Sequence, residues 1–346
     1  MRDILDTVST RYDGLIFAAA LGEAGLTVRA VQALVACGDL VRIRRGIYVL
    51  GPMWRDTTDD GRYRLFVRAT AASAAHPLIL SHHSAAVLHG LPILGRWPQT
   101  VHVIAADATG GSNARFITSH RGVTEPSTVQ IDGLTVTSLA RTLIDVAATS
   151  NLLVGVTMID HALRVGGCPD PDPDPNPWRH AAPPVIPLTC DDLHTELAAV
   201  HPRAGSRQAE RSISFSNGLS ANPGETLSRV RIFELGFEVP ELQEHFQVNG
   251  RDFWVDFWWR GVRKIGEFDG EQKYTRGAVL GDRDPGDVVV QEKWREDLLR
   301  RQVASFCRWG WATAYSPARF SAFLNEHDVP RARTKPSAQV CYRGAV

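Results

Sequence analysis

The sequence predicts an α+β fold divided among several domains, and three observations lead to this prediction. The chain has 346 residues, which is more than one ordinary hydrophobic core accommodates. Within residues 166–187, Pro alternates with Asp, which removes backbone donors and favours a semi-stiff linker over a packed core. On both sides of that segment, helix-like and strand-like hydrophobic patterns follow one another closely.

Composition narrows the class of protein. Hydrophobic residues make up 44% of the chain and charged residues 22%, as in a soluble globular protein. The formal net charge is zero, so binding to nucleic acid must come from local clusters of Lys and Arg. The five cysteines lack the spacing of a zinc site, the N-terminus lacks the pattern of a signal peptide, and no apolar stretch could span a membrane. We therefore expect a cytoplasmic protein without a membrane partner.

Residues 1–60 are predicted to form a winged helix-turn-helix. Thr27 is placed to cap a second helix that Gly38 ends, and Gly46 then joins two short β-prone runs. Such a unit places its second helix in the major groove of DNA, with the wing near the phosphate backbone. The expected DNA contacts come from that helix and from the wing: Arg29, Gln32, Arg42, Arg44 and Arg45. The alternative is a small helical domain with a solvated basic hairpin.

Residues 61–165 mix helices and strands and are predicted to form an α/β domain. A strand-like run at residues 101–104 is followed by a hairpin signal at Asp132-Gly133. Ser138 is then placed to cap a helix.

Three histidines of this segment, His82, His83 and His89, raise the question of a metal site. No neighbouring residue completes a metal-ligand spacing around them. We therefore expect a helix with satisfied histidines.

The rest of the chain is divided at the linker. Its predicted parts are a Pro/Asp-rich linker at 166–190, a helical connector at 191–221, a C-terminal α/β domain at 222–320 and a flexible tail at 321–346.

The C-terminal domain begins with a strong helix-start signal at residues 222–225, which read Asn-Pro-Gly-Glu. Asn is a preferred cap, Pro suits the first helical position, and Glu at the third position completes a capping box. Glu225 is therefore either the acid of this box or a residue that faces a metal ion, and the two roles are compatible.

Two strand-like runs, residues 253–259 and 264–270, carry acidic residues at the two-residue spacing of one strand face. A two-residue type II′ turn, indicated by Gly261, would pair Asp256 with Glu267. Like charges that face each other across antiparallel strands destabilise a sheet, so this pairing needs an explanation.

A divalent cation supplies one explanation for these acids. Asp269 lies two residues beyond Glu267 on the same face, and Mg²⁺ prefers oxygen ligands such as carboxylates. Such an ion would polarise a scissile phosphate and generate hydroxide from bound water. The alternative is that the acids face solvent or pair with Arg263, Lys264 or Lys273.

A later helix could contact a phosphate backbone. Val290, Trp294 and Leu298 recur at four-residue spacing, and Lys293 and Arg300 share another face. The alternative for these two cations is a merely solvated helix face.

In residues 222–315, the sequence resembles small endonuclease domains related to very-short-patch-repair endonucleases. The resemblance rests on Glu225 followed in order by Val255-Asp256-Phe257, Gly266-Glu267-Phe268-Asp269-Gly270, Glu292-Lys293-Trp294-Arg295-Glu296 and Arg308-Trp309-Gly310-Trp311. It implies a restriction-endonuclease-like fold, whose motif is a strand Asp, then Asp or Glu, any residue, and Lys.

The resemblance also implies site residues. It implies a Mg²⁺ site formed by Asp256, Glu267, Asp269 and Glu225. Asp269 stands where the motif has its lysine, and Lys273 is the candidate for the missing catalytic cation.

Residues 9–165 resemble the AbiEi-type antitoxins of abortive-infection systems. The matching segments are residues 40–48, 80–86 and 137–145, which read LVRIRRGIY, LSHHSAA and TSLARTLID. In that family the winged helix binds promoter DNA and the next domain supports repression and antitoxin activity. The resemblance implies DNA as a partner and a cognate toxin as a second one.

Two functions follow from these expectations. The first is a DNA-binding, Mg²⁺-dependent endonuclease that hydrolyses phosphodiesters. The second is a transcriptional regulator or antitoxin whose C-terminal domain keeps the fold without the chemistry.

Overall fold

A computed structural model of the chain describes residues 2–105, 112–121, 126–165, 188–202, 204–270 and 285–333. In these ranges the protein has the predicted α+β architecture, with helices accompanying three separate sheets. Contacts between residues divide it into two compact units. Among the described residues, unit 1 takes in 2–149 and 192–206, and unit 2 takes in 150–165, 188–191 and 207–333.

Unit 1 contains the following elements in chain order: α1 (Arg2–Arg11), β1 (Ile16–Phe17), α2 (Ala18–Glu23), α3 (Val28–Cys37), β2 (Leu40–Arg44), β3 (Ile47–Leu50), α4 (Gly51–Asp56), α5 (Asp59–Ala72), β4 (Ile79–Leu80), α6 (His82–Leu88), β5 (Val101–Ala105), β6 (Ser112–Ala114), β7 (Ile117–Arg121), β8 (Thr128–Ile131), β9 (Leu134–Thr137) and α7 (Leu139–Thr149). Next come α8 (Leu152–Val165), which belongs to unit 2, and α9 (Cys190–Val200), most of which belongs to unit 1.

The first part of unit 1 has the order of a winged helix: helix, turn, helix and β-ribbon. The strands pair antiparallel in the order β1-β3-β2. Thr27 Oγ1 accepts the Ala30 N–H at 3.2 Å, and Gly38 ends α3 in the left-handed region at φ 82°, as the sequence predicted. Val31 and Leu34 bury the inner face of α3, so the outer face of this helix remains exposed.

The second part of unit 1 is a mixed six-stranded sheet in the order β6-β7-β5-β4-β9-β8. Asp132 and Gly133 join β8 to β9 with φ angles of 51° and 73°, and two positive values are what a type I′ turn requires. Ser138 Oγ accepts the Arg141 N–H at 3.3 Å at the start of α7. The predicted hairpin and cap are therefore confirmed.

Unit 2 continues after α8 with these elements: α10 (Ser206–Phe215), α11 (Pro223–Glu234), β10 (Glu241–Val248), β11 (Arg251–Trp259), a 3₁₀ turn (Arg260–Val262), β12 (Lys264–Asp269), α12 (Pro285–Arg300), β13 (Ser305–Gly310), α13 (Trp311–Ala314) and α14 (Pro317–Glu326). The sheet order is β10-β11-β12-β13. The first three strands are antiparallel, and β13 is parallel to β12 because α12 supplies a crossover between them.

Helix α8 is held in unit 2 by a buried ion pair. Asp160 on α8 and Arg229 on α11 are 1% and 0% exposed, and the guanidinium donates to the carboxylate. Asp160 also accepts the Thr226 hydroxyl at 3.0 Å and the N–H groups of Asn217 and Gly218 at 2.9 and 3.2 Å. The sequence division placed this helix in the domain at 61–165, but its polar partners lie in the C-terminal part of the chain.

Two further features differ from the sequence expectations. The sequence also predicts a closing strand at residues 306–314, of which residues 311–314 instead form helix α13 after Gly310. The tail expected at 321–346 starts later, because α14 extends to Glu326 and both Leu324 and Val329 are buried. Residues 166–187 of the expected linker and the candidate residue Lys273 lie outside the described residues.

No helix in the described ranges is long and apolar enough to cross a membrane.

Candidate functional site

The start of α11 positions Glu225. Asn222 Oδ1 accepts the N–H groups of Gly224 and Glu225 at 2.9 and 3.1 Å, and Pro223 occupies the first turn. Glu225 is only 4% exposed. Its carboxylate accepts the Ala221 N–H and the Asn222 side-chain amide, each at 2.6 Å. Glu225 thus binds the turn before α11, close to the predicted capping role but through the Ala221 N–H and the Asn222 side chain, and a metal-facing role stays a separate prediction.

Gly224 allows α11 to approach β12 closely. A Cβ atom at this position would lie 2.1 Å from Cε1 of the Phe268 ring, a separation that real Cβ atoms do not tolerate. The backbone of α11 therefore lies directly against the strand that carries the next acids. This contact brings the Glu225 turn and β12 together.

The register of β11 and β12 agrees with the predicted one. Phe257 lies opposite Gly266, and the next pair in this register is Asp256 with Glu267. The turn differs from the expected two-residue type II′ turn. It is a 3₁₀ turn that ends with Arg263 in the left-handed region at φ 50°. Both turns are centred between residues 261 and 262, so the register is the same.

The carboxylates of Asp256 and Glu267 are bound to different donors. Asp256 Oδ2 accepts the Phe268 N–H at 2.8 Å. Glu267, which is 6% exposed, accepts Arg295 at Oε1 and Arg308 at Oε2, each at 2.7 Å. This arrangement explains how opposed acids are tolerated on neighbouring strands, since one binds the backbone and the other binds two guanidinium groups.

The arginine partners of Glu267 come from distant parts of the chain. Arg295 lies on α12 and Arg308 on β13, whereas the sequence alternative named Arg263, Lys264 and Lys273. Arg308 also lies 3.3 Å from Glu296 Oε2, so acids and arginines alternate at this edge. These partners could not be assigned from sequence because crossover α12 brings them to β12.

Asp269 lies at the end of β12 and is half-buried. Within the described ranges its carboxylate has no hydrogen-bond or ion-pair partner. It is therefore the candidate acid whose oxygens are not engaged by the described residues.

Gln243 is a site residue that sequence reasoning missed. It lies on β10 between the pairs Leu242–Phe257 and Glu244–Val255, which places it opposite Asp256. Its backbone has φ 51°, which is uncommon for a residue other than glycine, and its amide donates to Glu225 at 3.2 Å. The sequence held no signal for this residue, since glutamine is not a typical left-handed residue.

The acids have the chemistry of Mg²⁺ ligands. In the part of the chain that the structure describes, no three His, Cys, Asp or Glu side chains are grouped so that they could hold a metal. Glu225 and both oxygens of Glu267 are engaged by protein donors. Binding of a metal at Glu267 would require a guanidinium to leave.

The helix–wing surface, which we define as the exposed residues of α3 and of the β2–β3 ribbon, carries most of the predicted DNA contacts. Arg29 and Gln32 are exposed on α3, and Arg42 and Arg45 are exposed on the ribbon. Arg44 differs, because its guanidinium lies 4.0 Å from the centre of the Phe116 ring. Burial, together with the nearby Arg115, lowers the pKa of Arg44.

The two cations predicted on α12 are both exposed. Lys293 is exposed, and Arg300 Nε donates to Glu296 Oε1 at 2.8 Å. Arg300 also stacks over Phe306 at 4.7 Å. Arg300 therefore has partners within unit 2, and Lys293 is exposed on the same helix.

A second cluster of titratable side chains lies in unit 1 and is formed by four histidines: His82, His83, His102 and His120. The His82 and His120 rings stack at 3.6 Å, and Nδ1 of His102 lies 2.9 Å from Nε2 of His120. Burial lowers the pKa of His83 to about 4 and of His102 to about 3. The rings thus contact one another as neutral groups.

His89 lies outside this cluster and has its own partner. Its Nε2–H donates to the Thr137 carbonyl at 2.8 Å. His89 is therefore satisfied, as expected.

Comparisons with known proteins add little. No family model and no curated protein matches the chain. One similar solved structure is the crystal structure of the RV2827C protein from Mycobacterium tuberculosis, at 15% identity and a TM-score of 0.35. The match covers 65% of this chain and 78% of that one. A likeness of this strength assigns neither a family nor a function.

Proposed function

We propose that this chain binds double-stranded DNA through the helix–wing surface. The observation that carries the proposal is the exposure of Arg29 and Gln32 on α3 together with Arg42 and Arg45 on the adjoining ribbon. In a winged helix, the second helix enters the major groove. We expect these four side chains to contact the DNA.

Two kinds of contact are expected from these residues. Arg42 and Arg45 on the ribbon suit phosphate oxygens, which hold the protein on DNA without reading its sequence. Arg29 and Gln32 on α3 suit base edges, since Arg pairs with guanine and Gln with adenine in the major groove. Arg44 is left out of the contact set because its guanidinium packs on Phe116.

Fluorescence anisotropy with labelled duplexes tests this proposal. The probes are the DNA upstream of the chain's own gene and a duplex of scrambled sequence. Arg45→Ala should weaken binding to both duplexes and reduce the salt dependence by about one unit of slope. Gln32→Ala should lower the preference between duplexes, since a bidentate base contact contributes about 1–3 kcal/mol of discrimination.

Arg2→Ala is the matched control, because Arg2 is an exposed cation on α1 outside the helix–wing surface. Its binding curve should match that of the unsubstituted protein. Equal affinities for Arg45→Ala, Gln32→Ala and Arg2→Ala would overturn the proposal.

The second candidate function is Mg²⁺-dependent hydrolysis of phosphodiesters by unit 2. The register of β11 and β12 favours it, because its extension beyond Phe257 and Gly266 pairs Asp256 with Glu267, with Asp269 further along β12. The two arginines bound to Glu267 favour the competing candidate, a non-catalytic regulator or antitoxin. Under that competing proposal, unit 2 keeps the acids as structural partners, and a toxin remains a proposed partner.

A plasmid-nicking assay with and without Mg²⁺ separates these candidates. Hydrolysis predicts Mg²⁺-dependent nicking that Glu267→Gln and Asp256→Asn each abolish. Asp252→Asn is the charge-matched control, because Asp252 lies at the far end of β11, exposed and bound to His245 at 2.7 Å. If the plasmid stays intact under every condition while the protein still binds DNA, the hydrolysis proposal fails and the non-catalytic regulator is the remaining candidate.

A further inference from the structure

A cavity of about 570 Å³ lies within unit 1 beside the wing. Its wall includes three arginines, Arg42, Arg62 and Arg96, and four aromatic side chains, Trp54, Tyr63, Phe66 and Trp97. Its volume is in the range of small-molecule sites, which are mostly apolar with a few placed polar groups. The cavity is largely open to solvent, and Arg42 and Arg96 in its wall are both exposed.

The arginines give the cavity an excess of positive charge. Within the described ranges, neither Arg42 nor Arg96 has a hydrogen-bond or ion-pair partner. Arg62 is held in place, because it donates to the Trp54 carbonyl at 3.1 Å. The acid of the wall, Asp59, lies 3.5 Å from Arg62 and is 89% exposed. The unmatched charge therefore belongs to Arg42 and Arg96.

The aromatic wall is preorganised. Trp97 stacks on Tyr63 at 5.0 Å, and its Nε1–H donates to Asp60 at 2.6 Å. The guanidinium of Arg62 lies 5.3 Å from the centre of the Trp54 ring. Because both indole rings are held by neighbours, a flat ring can stack on this wall without first ordering it.

We propose that this cavity binds a nucleoside monophosphate unit. The aromatic wall accepts the base, since base stacking on aromatic side chains tolerates any base. Arg42 and Arg96 accept the phosphate, because guanidinium groups bind phosphate oxygens through charge-assisted, often bidentate hydrogen bonds. The unit comes either as a free mononucleotide or as the terminal nucleotide of a strand.

The cavity and the helix–wing surface share Arg42. A bound phosphate neutralises Arg42 and removes it from contact with a DNA backbone. Binding at the cavity and binding of duplex DNA are therefore negatively coupled, and the coupling acts equally in both directions. This coupling rests on the proposed DNA binding, whereas the cavity's own affinity does not.

Isothermal titration calorimetry on the full chain tests the cavity directly. The probes are the four ribonucleoside 5′-monophosphates, inorganic phosphate, and a short single-stranded oligonucleotide with a 5′-phosphate. We expect a mononucleotide to bind more tightly than inorganic phosphate, and Arg96→Gln to weaken it about tenfold, which corresponds to about 1.4 kcal/mol. Binding of the oligonucleotide alone would identify a strand end as the source of the unit.

Arg2→Gln is the charge-matched control and should bind mononucleotide like the unsubstituted protein. The proposal is overturned if no probe binds at millimolar concentration, if inorganic phosphate binds as tightly as the mononucleotides, or if Arg96→Gln equals Arg2→Gln.

The coupling between the two sites is tested separately, by measuring duplex binding in the presence of mononucleotide. Mononucleotide at a concentration that just saturates the unsubstituted protein should lower its duplex affinity and should have a smaller effect on Arg96→Gln, which binds mononucleotide more weakly. Without mononucleotide, Arg96→Gln should bind duplex normally, because Arg96 lies outside the helix–wing surface. If calorimetry shows that mononucleotide binds to a protein that binds no duplex, the result contradicts the proposed DNA binding and supports the proposed nucleotide site in the cavity.

Discussion

Glu267 lies between two guanidinium groups, those of Arg295 and Arg308. Its carboxylate is nearly buried, and each oxygen accepts one guanidinium hydrogen bond at 2.7 Å. A buried carboxylate is tolerated only when it is paired, so the two arginines stabilise β12 as it stands. They also occupy the oxygens that a cation would need.

Removing both arginines should therefore reveal whether a metal can replace them. Arg295→Gln/Arg308→Gln leaves Glu267 buried without its cations, which should lower the free energy of unfolding by about 3–5 kcal/mol in EDTA. If the acids form a Mg²⁺ site, added Mg²⁺ should restore part of this loss in urea titrations.

Arg300→Gln is the control, since Arg300 is exposed and its pairing with Glu296 should contribute less than about 1 kcal/mol. If the unfolding midpoint of the double variant is the same with and without Mg²⁺, the result counts against Glu267 as a metal ligand.

Residue-level prediction from sequence was limited by distance along the chain. The register of β11 and β12 was predicted correctly as far as Phe257 and Gly266, because one turn separates the strands and any turn centred at residues 261 and 262 gives that register. Asp256 and Glu267 are the next residues beyond the last pair. The partners Arg295 and Arg308 lie 28 and 41 residues from Glu267, and no local pattern reports such contacts.

At the scale of helices and strands, two glycines should respond to substitution in opposite directions. Gly224→Ala places a Cβ atom 2.1 Å from the Phe268 ring, which should lower the free energy of unfolding by about 1–3 kcal/mol. Gly22→Ala, inside α2 with no atom within 4 Å of the new Cβ, should raise it by up to about 1 kcal/mol. Urea titrations measure both, and equal effects would contradict the close approach of α11 to β12.

The junction of α8 and α11 should depend on its buried charges. Asp160→Asn leaves Arg229 buried without its anion, so the free energy of unfolding should fall by about 3–5 kcal/mol. Asp252→Asn removes an exposed partner of His245 and should cost less than about 1 kcal/mol. If chemical denaturation gives the same midpoint for the two variants, the ion pair does not hold α8 in place.

Elements with local start and stop signals were predicted well from the sequence. Thr27 and Gly38 bound α3, Asn222 caps α11, and Asp132-Gly133 forms the hairpin turn. Strand β10 was missed, since its left-handed Gln243 and polar side chains lack a strand pattern. The place of α8 in unit 2 was also missed, because tertiary contacts alone determine it.

At the scale of the whole molecule, acid should act on unit 1 through its histidine cluster. The pKa values of His82, His83, His102 and His120 are lowered, so the folded unit binds fewer protons than the unfolded chain. The stability from these groups is fully present above their ordinary pKa of about 6.5 and is lost as pH falls towards 4 and 3. Burial raises the pKa of Asp145 to about 6, so this carboxyl binds a proton more readily in the folded unit than in the unfolded chain. This one group partly offsets the loss of stability from the histidines.

Limited proteolysis read by mass spectrometry measures this effect, since cleavage sites can be assigned to unit 1 or unit 2. Between about pH 7 and pH 4, unit 1 should become cleavable at lower urea concentrations. His102→Gln should weaken this pH dependence because one of the buried bases is removed. A unit 1 whose protection does not change over this range would refute the expectation.

The distance along the chain between α8 and the rest of unit 2 also has a consequence during synthesis on the ribosome. Asp160 and its partner Arg229 are 69 residues apart in sequence. At about 5–20 residues per second, α8 is made roughly 3 to 14 seconds before α11. During that interval Asp160 lacks Arg229, and the surface of α8 that contacts α11 in the finished protein is uncovered. Slow codons between the two helices would lengthen this exposure of the nascent chain.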